Sequence, residues 1–226
     1  VLRSIGGSSD GIGKGITAPN PVGQIHAVKR AWERVGLSPA SVGLIEGHGT
    51  STTVGDAAEL QSMAEVYKEF DLPTGSIALG SVKGNIGHLK GGAGSAGMMK
   101  GVMALYEKVL PPSLNFHSPN PNIDFNTVPF KVNTALRPWD LNDKEVRRCG
   151  VSAFGFGGTN FHVVLEEYIP GKITSEEKKA YFMAESPGKQ EQTFKKPIRG
   201  ALLVGAQSKE ELISQLEALA KKVATD

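Results

Sequence analysis

Glycine is concentrated in the first three quarters of this chain, where short apolar segments pass into polar turns. The 226 residues include 28 glycines, about 12% against a typical ~7%, and 24 of the 28 lie in residues 1–165. They stand inside strand- and helix-forming sequence, so low complexity does not explain them. Glycine is required where backbones approach closely or where φ is positive. The chain must therefore adopt a fold with tight turns and closely packed layers.

Short apolar strands alternate with amphipathic helices in this part of the sequence. The predicted strands are Val1–Ser9, Val42–Glu46, Ile77–Val82 and Phe161–Glu166, and the predicted helices are 21–35, 56–67 and 93–106. The first helix is the best marked, with Asn20 as N-cap, Pro21 in the first turn and Gly36 after the last turn. Residues 111–138 are rich in proline and asparagine and predict a long ordered excursion with little regular structure. Strand–helix–strand order favours a layered α/β domain.

The composition changes near residue 166. The 61 residues from 166 to 226 contain only four glycines but 20 charged residues, ten of each sign. We therefore predict one domain over residues 1–166, and a polar connector with a small α/β linker domain over residues 167–226. The second part is expected to contain a strand, Gly200–Gly205, and then a helix that begins with a capping box formed by Ser208 and Glu211.

Charge and hydropathy argue against several classes of partner. Lys+Arg 25 minus Asp+Glu 23 gives a net charge of +2, so neither nucleic acid nor a membrane surface is expected as a partner. No apolar run approaches the ~20 residues that span a bilayer. The one cysteine cannot form an internal disulfide, which predicts a reducing compartment and a cytoplasmic location.

Two predicted strands each run directly into a glycine-containing turn with a histidine. The first turn reads Gly47-His48-Gly49-Thr50-Ser51-Thr52, and the second reads Lys83-Gly84-Asn85-Ile86-Gly87-His88. In an open α/β sheet, ligands bind beyond the carboxyl ends of strands, which is where both turns are expected. Two histidines in matching positions favour a shared binding or catalytic site over two structural turn residues.

Two other kinds of binding site, a metal site and a phosphate-binding loop, have less support in the sequence. A metal site would combine the histidines with Asp56, but no HxH or HExxH spacing is present and the cysteine is distant in sequence. A phosphate-binding loop at Gly6–Gly15 would require a G-x-x-x-x-G-K-[ST] or G-x-G-x-x-G pattern, which this stretch lacks. We therefore expect no bound metal, and we interpret Gly6–Gly15 as a loop with turn glycines.

The motifs together resemble those of β-ketoacyl synthases. The His48 turn followed by Gly55-Asp56 and Glu59 is similar to the first histidine motif of that family, and the sequence 81–88 is similar to its lysine–histidine motif. Gly155-Phe156-Gly157-Gly158-Thr159-Asn160 resembles the C-terminal glycine motif. The charged tail resembles the linker after the ketosynthase in multidomain (type I) synthases. The resemblance implies the C-terminal half of a thiolase-like layered α-β-α fold, followed by a small α/β linker domain.

The resemblance also implies roles for particular residues. The family catalyses the decarboxylative Claisen condensation of an acyl thioester with a malonyl-type acyl carrier protein in polyketide or fatty-acid biosynthesis. The matching catalytic positions are His48 and His88, which would stabilise the enolate, and Lys83, which would orient the site. Glu59 matches an acidic residue expected to pair with the lysine. Three further matches concern the substrate: Thr50 and Thr52 would bind the pantetheine arm, and Phe156 would gate the nucleophile.

The match covers only the C-terminal half of the family's domain, so we expect this chain to be part of a longer polypeptide. Cys149 does not match the family's nucleophile in context or place, and it is expected to be a small buried residue. The implied partners are an acyl carrier protein, the N-terminal half of the ketosynthase and neighbouring synthase domains, with a homodimer in the parent and no bound cofactor. The alternatives are a non-catalytic docking fragment and a thiolase-like relative, which would normally place a second cysteine near Phe156.

Overall fold

The structure is a computed structural model, and it describes residues 1–12, 15–142, 144–172 and 204–223. The chain divides into two compact units, Val1–Lys178 and Lys179–Asp226. The domain boundary predicted at residue 166 stays a prediction.

The described helices and strands lie mainly in the first unit. The strands are β1 (Leu2–Ser9), β2 (Leu44–Glu46), β3 (Ile77–Gly80), β4 (Val109–Leu110), β5 (Phe130–Val132), β6 (Arg137–Pro138), β7 (Arg148–Gly155) and β8 (Thr159–Glu166). The helices are α1 (Pro21–Val35), α2 (Thr53–Tyr67), α3 (Lys83–Ile86), α4 (Ala93–Glu107) and, in the second unit, α5 (Lys209–Val223). The predicted α/β architecture is confirmed.

The main sheet is mixed and has the strand order β1-β8-β7-β2-β3-β5. Strand β2 runs parallel to both β3 and β7, with Glu46 opposite Gly80 and Val151. Strands β7, β8 and β1 form successive antiparallel pairs. Because β2 and β3 are parallel neighbours, their carboxyl ends lie side by side, and the two histidine turns begin at the same edge.

The sheet is buried on both faces, as its alternating side chains show. Ile45 and Ile77 belong to one buried cluster, whereas Leu44 and Ala78 belong to another. Residues of α1 and α2 share the first cluster, and residues of α4 share the second. The result is a helix–sheet–helix arrangement, in which strands buried on both faces are expected to be apolar throughout.

Helix α1 begins and ends as its sequence predicts. The Asn20 side chain accepts a hydrogen bond from the Val22 N–H at 3.0 Å, and Gly36 adopts the left-handed conformation with φ 62°. Val28 and Trp32 are buried against the sheet. Gly6 in β1 permits this packing, because a Cβ at that position would lie 2.1 Å from the Ala27 carbonyl oxygen.

Helix α4 packs closely on β7 in a similar way. A Cβ at Gly101 would lie 3.1 Å from the Cys149 Sγ, and a Cβ at Gly97 would lie 3.3 Å from Val151. Cys149 is fully buried, and burial raises the pKa of its thiol. The prediction of a small buried cysteine is confirmed.

Several boundaries differ from the predicted ones. Helix α2 begins at Thr53 rather than residue 56, because the Thr52 Oγ1 caps it by accepting from the Gly55 N–H. Strand β3 ends at Gly80 rather than residue 82. The excursion over residues 111–138 contains more regular structure than predicted, since it includes β5, which extends the main sheet beside β3.

The capping box of the second unit is confirmed, with one change in its partner. The Glu211 N–H donates to the Ser208 Oγ at 3.1 Å, and the Glu211 carboxylate accepts from the Gln207 N–H at 3.0 Å. Most of the predicted connector and residues 200–203 of the predicted strand lie outside the described residues. No helix in the described part of the chain is long and apolar enough to cross a membrane.

Candidate active site

An open cleft of about 1210 Å³ lies at the carboxyl ends of β2 and β3. Six of the seven predicted site residues line it, namely His48, Thr50, Thr52, Glu59, His88 and Phe156. Residues 16–19, the start of α4 and the end of β7 contribute further walls. The structure thus brings together groups that are more than a hundred residues apart in the sequence.

One buried carboxylate stabilises the turn that carries His48. Glu59, from α2, accepts hydrogen bonds from the His48 N–H at 2.7 Å and the Gly49 N–H at 2.9 Å. A Cβ at Gly47 would lie 3.2 Å from Glu59 Oε1, so a glycine leaves room for the carboxylate. Burial raises the pKa of Glu59 to about 7, although the two N–H donors oppose the shift.

The turn that carries His88 fixes the hydrogen-bonding state of the imidazole. After β3 the chain forms the short helix α3 and passes through Gly87, whose φ is 76°. The His88 Nδ1 accepts a hydrogen bond from the Lys90 N–H at 2.9 Å. A neutral imidazole that accepts at Nδ1 carries its proton on Nε2, so His88 can donate a hydrogen bond from that nitrogen.

The two imidazoles meet edge to face. The ring centroids of His48 and His88 lie 5.6 Å apart with an interplanar angle of 85°, and His48 also contacts Phe154 at 6.0 Å between centroids. Burial lowers the pKa of His48 to about 4, and the Lys83 charge and His88 add to the effect. His88 is exposed, and partial desolvation together with the Lys83 and Lys90 charges lowers its pKa. Both imidazoles are therefore neutral near pH 7.

Lys83 acts on this pair without lining the cleft. Burial lowers the pKa of its own amine, whereas the carboxylates of Glu59, Glu46 and Asp56 raise it. No ion pair joins Lys83 to Glu59 among the residues that the structure describes. The direct pair expected from the resemblance is not formed, and both Glu59 oxygens accept instead from the main chain of the His48 turn. Lys83 is coupled to Glu59 through its charge alone.

The two threonines lie at the N-terminus of α2. Their hydroxyl oxygens are 3.3 Å apart, and the Thr52 hydroxyl also caps the helix. Ser51 between them has a positive φ of 61°, and its N–H donates to Asp56 Oδ1 at 3.1 Å. Asp56, which the alternative metal site would have used as a ligand, therefore stabilises this turn.

Phe156 projects from the β7–β8 turn, and 79% of it is exposed. Gly157 and Gly158 have φ values of 80° and 81°. The Gly157 N–H donates to the Ile16 carbonyl at 2.8 Å, and the Gly158 carbonyl accepts from the Asp10 N–H at 2.8 Å. The turn is thus tied to the segment that forms another wall of the cleft.

The three remaining histidines lie apart from the two turns. His26 on α1 and His117 in the excursion are exposed. His162 is fully buried, and its Nδ1 lies 2.9 Å from the Ser152 Oγ. Burial lowers the pKa of His162 to about 3.

One buried charged group near the site has no counterpart among the predicted residues. Glu46, the last residue of β2, accepts a hydrogen bond from the Val82 N–H and forms an ion pair with Lys100 of α4. The only sequence signal for it is a carboxylate at the end of an otherwise apolar strand.

Comparisons with known families match this arrangement over nearly the whole chain. The sequence model of the β-ketoacyl synthase C-terminal domain matches residues 1–117, and that of the ketoacyl-synthetase C-terminal extension matches residues 119–225. Both matches contribute to one sheet, because β7 from the second pairs with β2 from the first.

Curated relatives include large synthases. The chain is 41% identical over 169 residues to the hybrid PKS-NRPS synthetase pytA of Aspergillus terreus, and 40% identical over 187 residues to the polyketide synthase PksL of Bacillus subtilis. It is 44% identical over 178 residues to a polyunsaturated fatty acid synthase polypeptide from a Thraustochytrium species. These alignments cover 74%, 81% and 75% of this chain but 25%, 4% and 6% of the relatives.

Solved structures show the same fold. The ketosynthase from module 6 of the bacillaene synthase of Bacillus subtilis is 41% identical with a TM-score of 0.72, and the match covers 75% of this chain and 30% of that one. Ketosynthase twelve of the bacillaene synthase of Bacillus amyloliquefaciens is 40% identical with a TM-score of 0.71, covering 74% and 30%. These likenesses confirm the predicted fold, the C-terminal half of a thiolase-like architecture.

Proposed function

Because this chain belongs to the β-ketoacyl synthase family through its C-terminal domain, we propose that it supplies the two-histidine half of an active site for decarboxylative condensation in a polyketide or fatty-acid synthase. The observation that carries the proposal is the pair of imidazoles, with ring centroids 5.6 Å apart, at the edge of an open cleft. Neutral imidazoles can donate hydrogen bonds to a developing oxyanion without titrating at working pH.

The chemistry follows from where charge develops. When the malonyl carboxylate leaves as CO₂, the electron pair of the broken C–C bond moves onto the thioester oxygen as an enolate. The Nε2–H of His88, together with His48, would stabilise that oxygen. The carbanion then attacks the acyl thioester, forming a new C–C bond and releasing the thiolate of the nucleophile. Loss of one such donor costs about 10²–10³ in rate.

We expect the nucleophile to come from outside the residues of this chain. Cys149 is fully buried behind α4 with its thiol pKa raised, so it can neither reach a substrate nor ionise readily. The chain covers 30% of the solved ketosynthase it matches, which supports a cysteine contributed by the N-terminal half of the same catalytic domain.

The substrates would arrive on the phosphopantetheine arm of an acyl carrier protein. Thr50 and Thr52 line the cleft beside His48 and offer hydroxyl groups to the amides of that arm. Phe156 would gate the approach to the nucleophile. Neighbouring synthase domains, a homodimeric parent and a cytoplasmic location belong to the same proposal, and no bound cofactor is required for the step.

The experiment is replacement of each histidine by alanine in the complete synthase. We expect His48→Ala and His88→Ala each to reduce condensation about 10²–10³-fold. His26→Ala, an exposed histidine on α1, is the matched control and should leave the rate unchanged. Near-normal elongation by either site variant would overturn the assignment.

A second candidate, a non-catalytic docking fragment, is equally compatible with the burial of Cys149. Incubation of this chain with an acyl thioester should leave its mass unchanged under either proposal. The two differ in the complete synthase, where only the catalytic proposal requires His48 and His88 for condensation.

A further inference from the structure

Glu46 is a charged side chain in the interior of the sheet. It is 1% exposed, it ends β2, and it directly precedes Gly47 and His48. Its strand neighbours are Gly80 and Val151 on the two parallel partners. A carboxylate in this position requires compensating partners, because burial of an unpaired charge is strongly destabilising.

Its two oxygens bind different parts of the fold. Oε1 accepts a hydrogen bond from the main-chain N–H of Val82, the residue before Lys83. Oε2 forms an ion pair with the Lys100 Nζ at 3.1 Å, and the Lys100 side chain is only 11% exposed. One carboxylate therefore connects the end of β2, the start of the Lys83 turn and helix α4.

Two glycines leave the space that this pair occupies. A Cβ at Gly80 would lie 3.2 Å from the Lys100 Nζ and 3.5 Å from Glu46 Oε2. A Cβ at Gly97 would lie 3.2 Å from the Glu46 Cγ. The two 3.2 Å contacts are tighter than ordinary side-chain packing, so larger residues would displace the ion pair.

Glu46 and Glu59 hold the two histidine turns in equivalent ways. Glu59 accepts from the main chain of the His48 turn, and Glu46 accepts from the main chain that leads into Lys83. Lys83 in turn lowers the pKa of both histidines through its charge. The distance between the Lys83 turn and the His48 turn therefore matters to both imidazoles.

We propose that Glu46, paired with Lys100, is a positioning residue for the two-histidine site, because it fixes the main chain at Val82 and thereby the place of Lys83 relative to His48 and His88. This inference rests on the proposed condensation for its catalytic consequence. Its structural part, the Glu46–Val82 hydrogen bond, can be measured without any reaction. Misplacement of a site by about 1 Å can cost on the order of 10²-fold in rate.

The test compares two double variants that both remove the buried charges. Glu46→Gln/Lys100→Met keeps an acceptor oxygen for Val82, whereas Glu46→Met/Lys100→Met removes it. In this chain, amide hydrogen exchange measured by NMR should be at least about 10-fold faster at Val82 when the acceptor is lost, and within about 3-fold of the parent value when it is kept. Equal exchange rates at Val82 in the two variants would show that its N–H does not depend on Glu46 as an acceptor.

The rate of condensation in the complete synthase then tests whether the Glu46–Val82 hydrogen bond contributes to catalysis. We expect kcat for condensation to fall about 10–100-fold in the variant without the acceptor, with KM within about 3-fold, and to stay within about 3-fold in the glutamine variant. Equal kcat values would reduce Glu46 to a purely structural role. Failure of the proposed function itself would appear separately, as normal condensation by His48→Ala and His88→Ala.

A third variant guards against loss of folding. Glu46→Asp keeps both charges but withdraws the carboxylate by one methylene, so it leaves no charge unpaired. It should show faster Val82 exchange and a reduced kcat at an unchanged KM. A wild-type kcat in this variant would contradict the proposal even if the methionine variant does not fold.

Discussion

The imidazole of His88 meets that of His48 edge to face, and Lys83 lowers the pKa of both. The pair therefore shares one electrostatic environment, although the two residues belong to different turns. A positive charge near an imidazole disfavours its protonated form.

Replacing Lys83 by methionine should raise the pKa of both histidines. In the unsubstituted chain we expect His48 to remain neutral down to about pH 4. Removal of the lysine charge should move the titration of His48 to higher pH. The measurement is a pH titration of the histidine ring protons by NMR. Lys90→Met is the matched control, because the Lys90 charge lowers the pKa of His88 but is not among the causes that act on His48. An unchanged His48 titration in Lys83→Met would contradict the argument.

His162 should make the fold sensitive to acid. Burial lowers its folded pKa to about 3, whereas an unfolded histidine titrates near 6.5. The unfolded state therefore binds a proton that the folded state does not bind, and stability is lost as the pH falls from about 6.5 towards 3. The slope from this one group is at most about 1.4 kcal/mol per pH unit.

The check on His162 is chemical denaturation at several pH values. His162→Asn keeps a polar group near the Ser152 hydroxyl but cannot take up a proton, so its free energy of unfolding should depend less steeply on pH in this window. Identical slopes for the variant and the parent would show that the buried imidazole is not responsible.

The two phenylalanines of the β7 end should behave in opposite ways. Phe154 is 9% exposed and belongs to the core, so Phe154→Ala should lower the free energy of unfolding by about 3–5 kcal/mol. Phe156 is 79% exposed, and Phe156→Ala should change it by less than about 0.5 kcal/mol. Urea denaturation of both variants provides the comparison, and a large loss at Phe156 would show that its ring packs.

Gly6 should tolerate no side chain. A Cβ there would lie 2.1 Å from the Ala27 carbonyl oxygen and 2.5 Å from the Ala31 nitrogen, both in the main chain of α1. Gly6→Ala is expected to cost about 1–3 kcal/mol or more, because the helix must move away from β1. Gly91→Ala, where no atom lies within 4 Å of the added Cβ, is the control. Equal thermal stability of the two variants would contradict the close packing.

Local signals predicted the parts of the fold that local interactions determine. The limits of α1 follow from Asn20, Pro21 and Gly36, since each acts within one turn of the helix. The grouping of His48 and His88 also followed from sequence, because parallel neighbouring strands bring their carboxyl ends together. Strand β5 was not predicted, because three residues in a proline-rich excursion show no periodicity and are held only by pairing with β3.

The sequence does not predict the hydrogen-bond partners of the carboxylates in the site. The expected contact between Glu59 and Lys83 rested on charge alone, whereas the carboxylate is occupied by two main-chain N–H groups whose positions depend on the folded turn. The sequence does not predict the burial of Glu46, because a carboxylate at a strand end is compatible with either an exposed or a buried position. Only the packing of α4 places Lys100 beside it.

The hydrogen bonds from Gly157 to Ile16 and from Asp10 to Gly158 join two adjacent walls of the cleft. The turn that bears Phe156 and the wall that bears Ile16 are fastened to each other at two points. A movement of the main chain at Phe156 would therefore be transmitted to the wall that bears Ile16. Gating by Phe156, as proposed above, would then reshape the wall that bears Ile16 as well, so that both sides of the entrance respond together to a substrate.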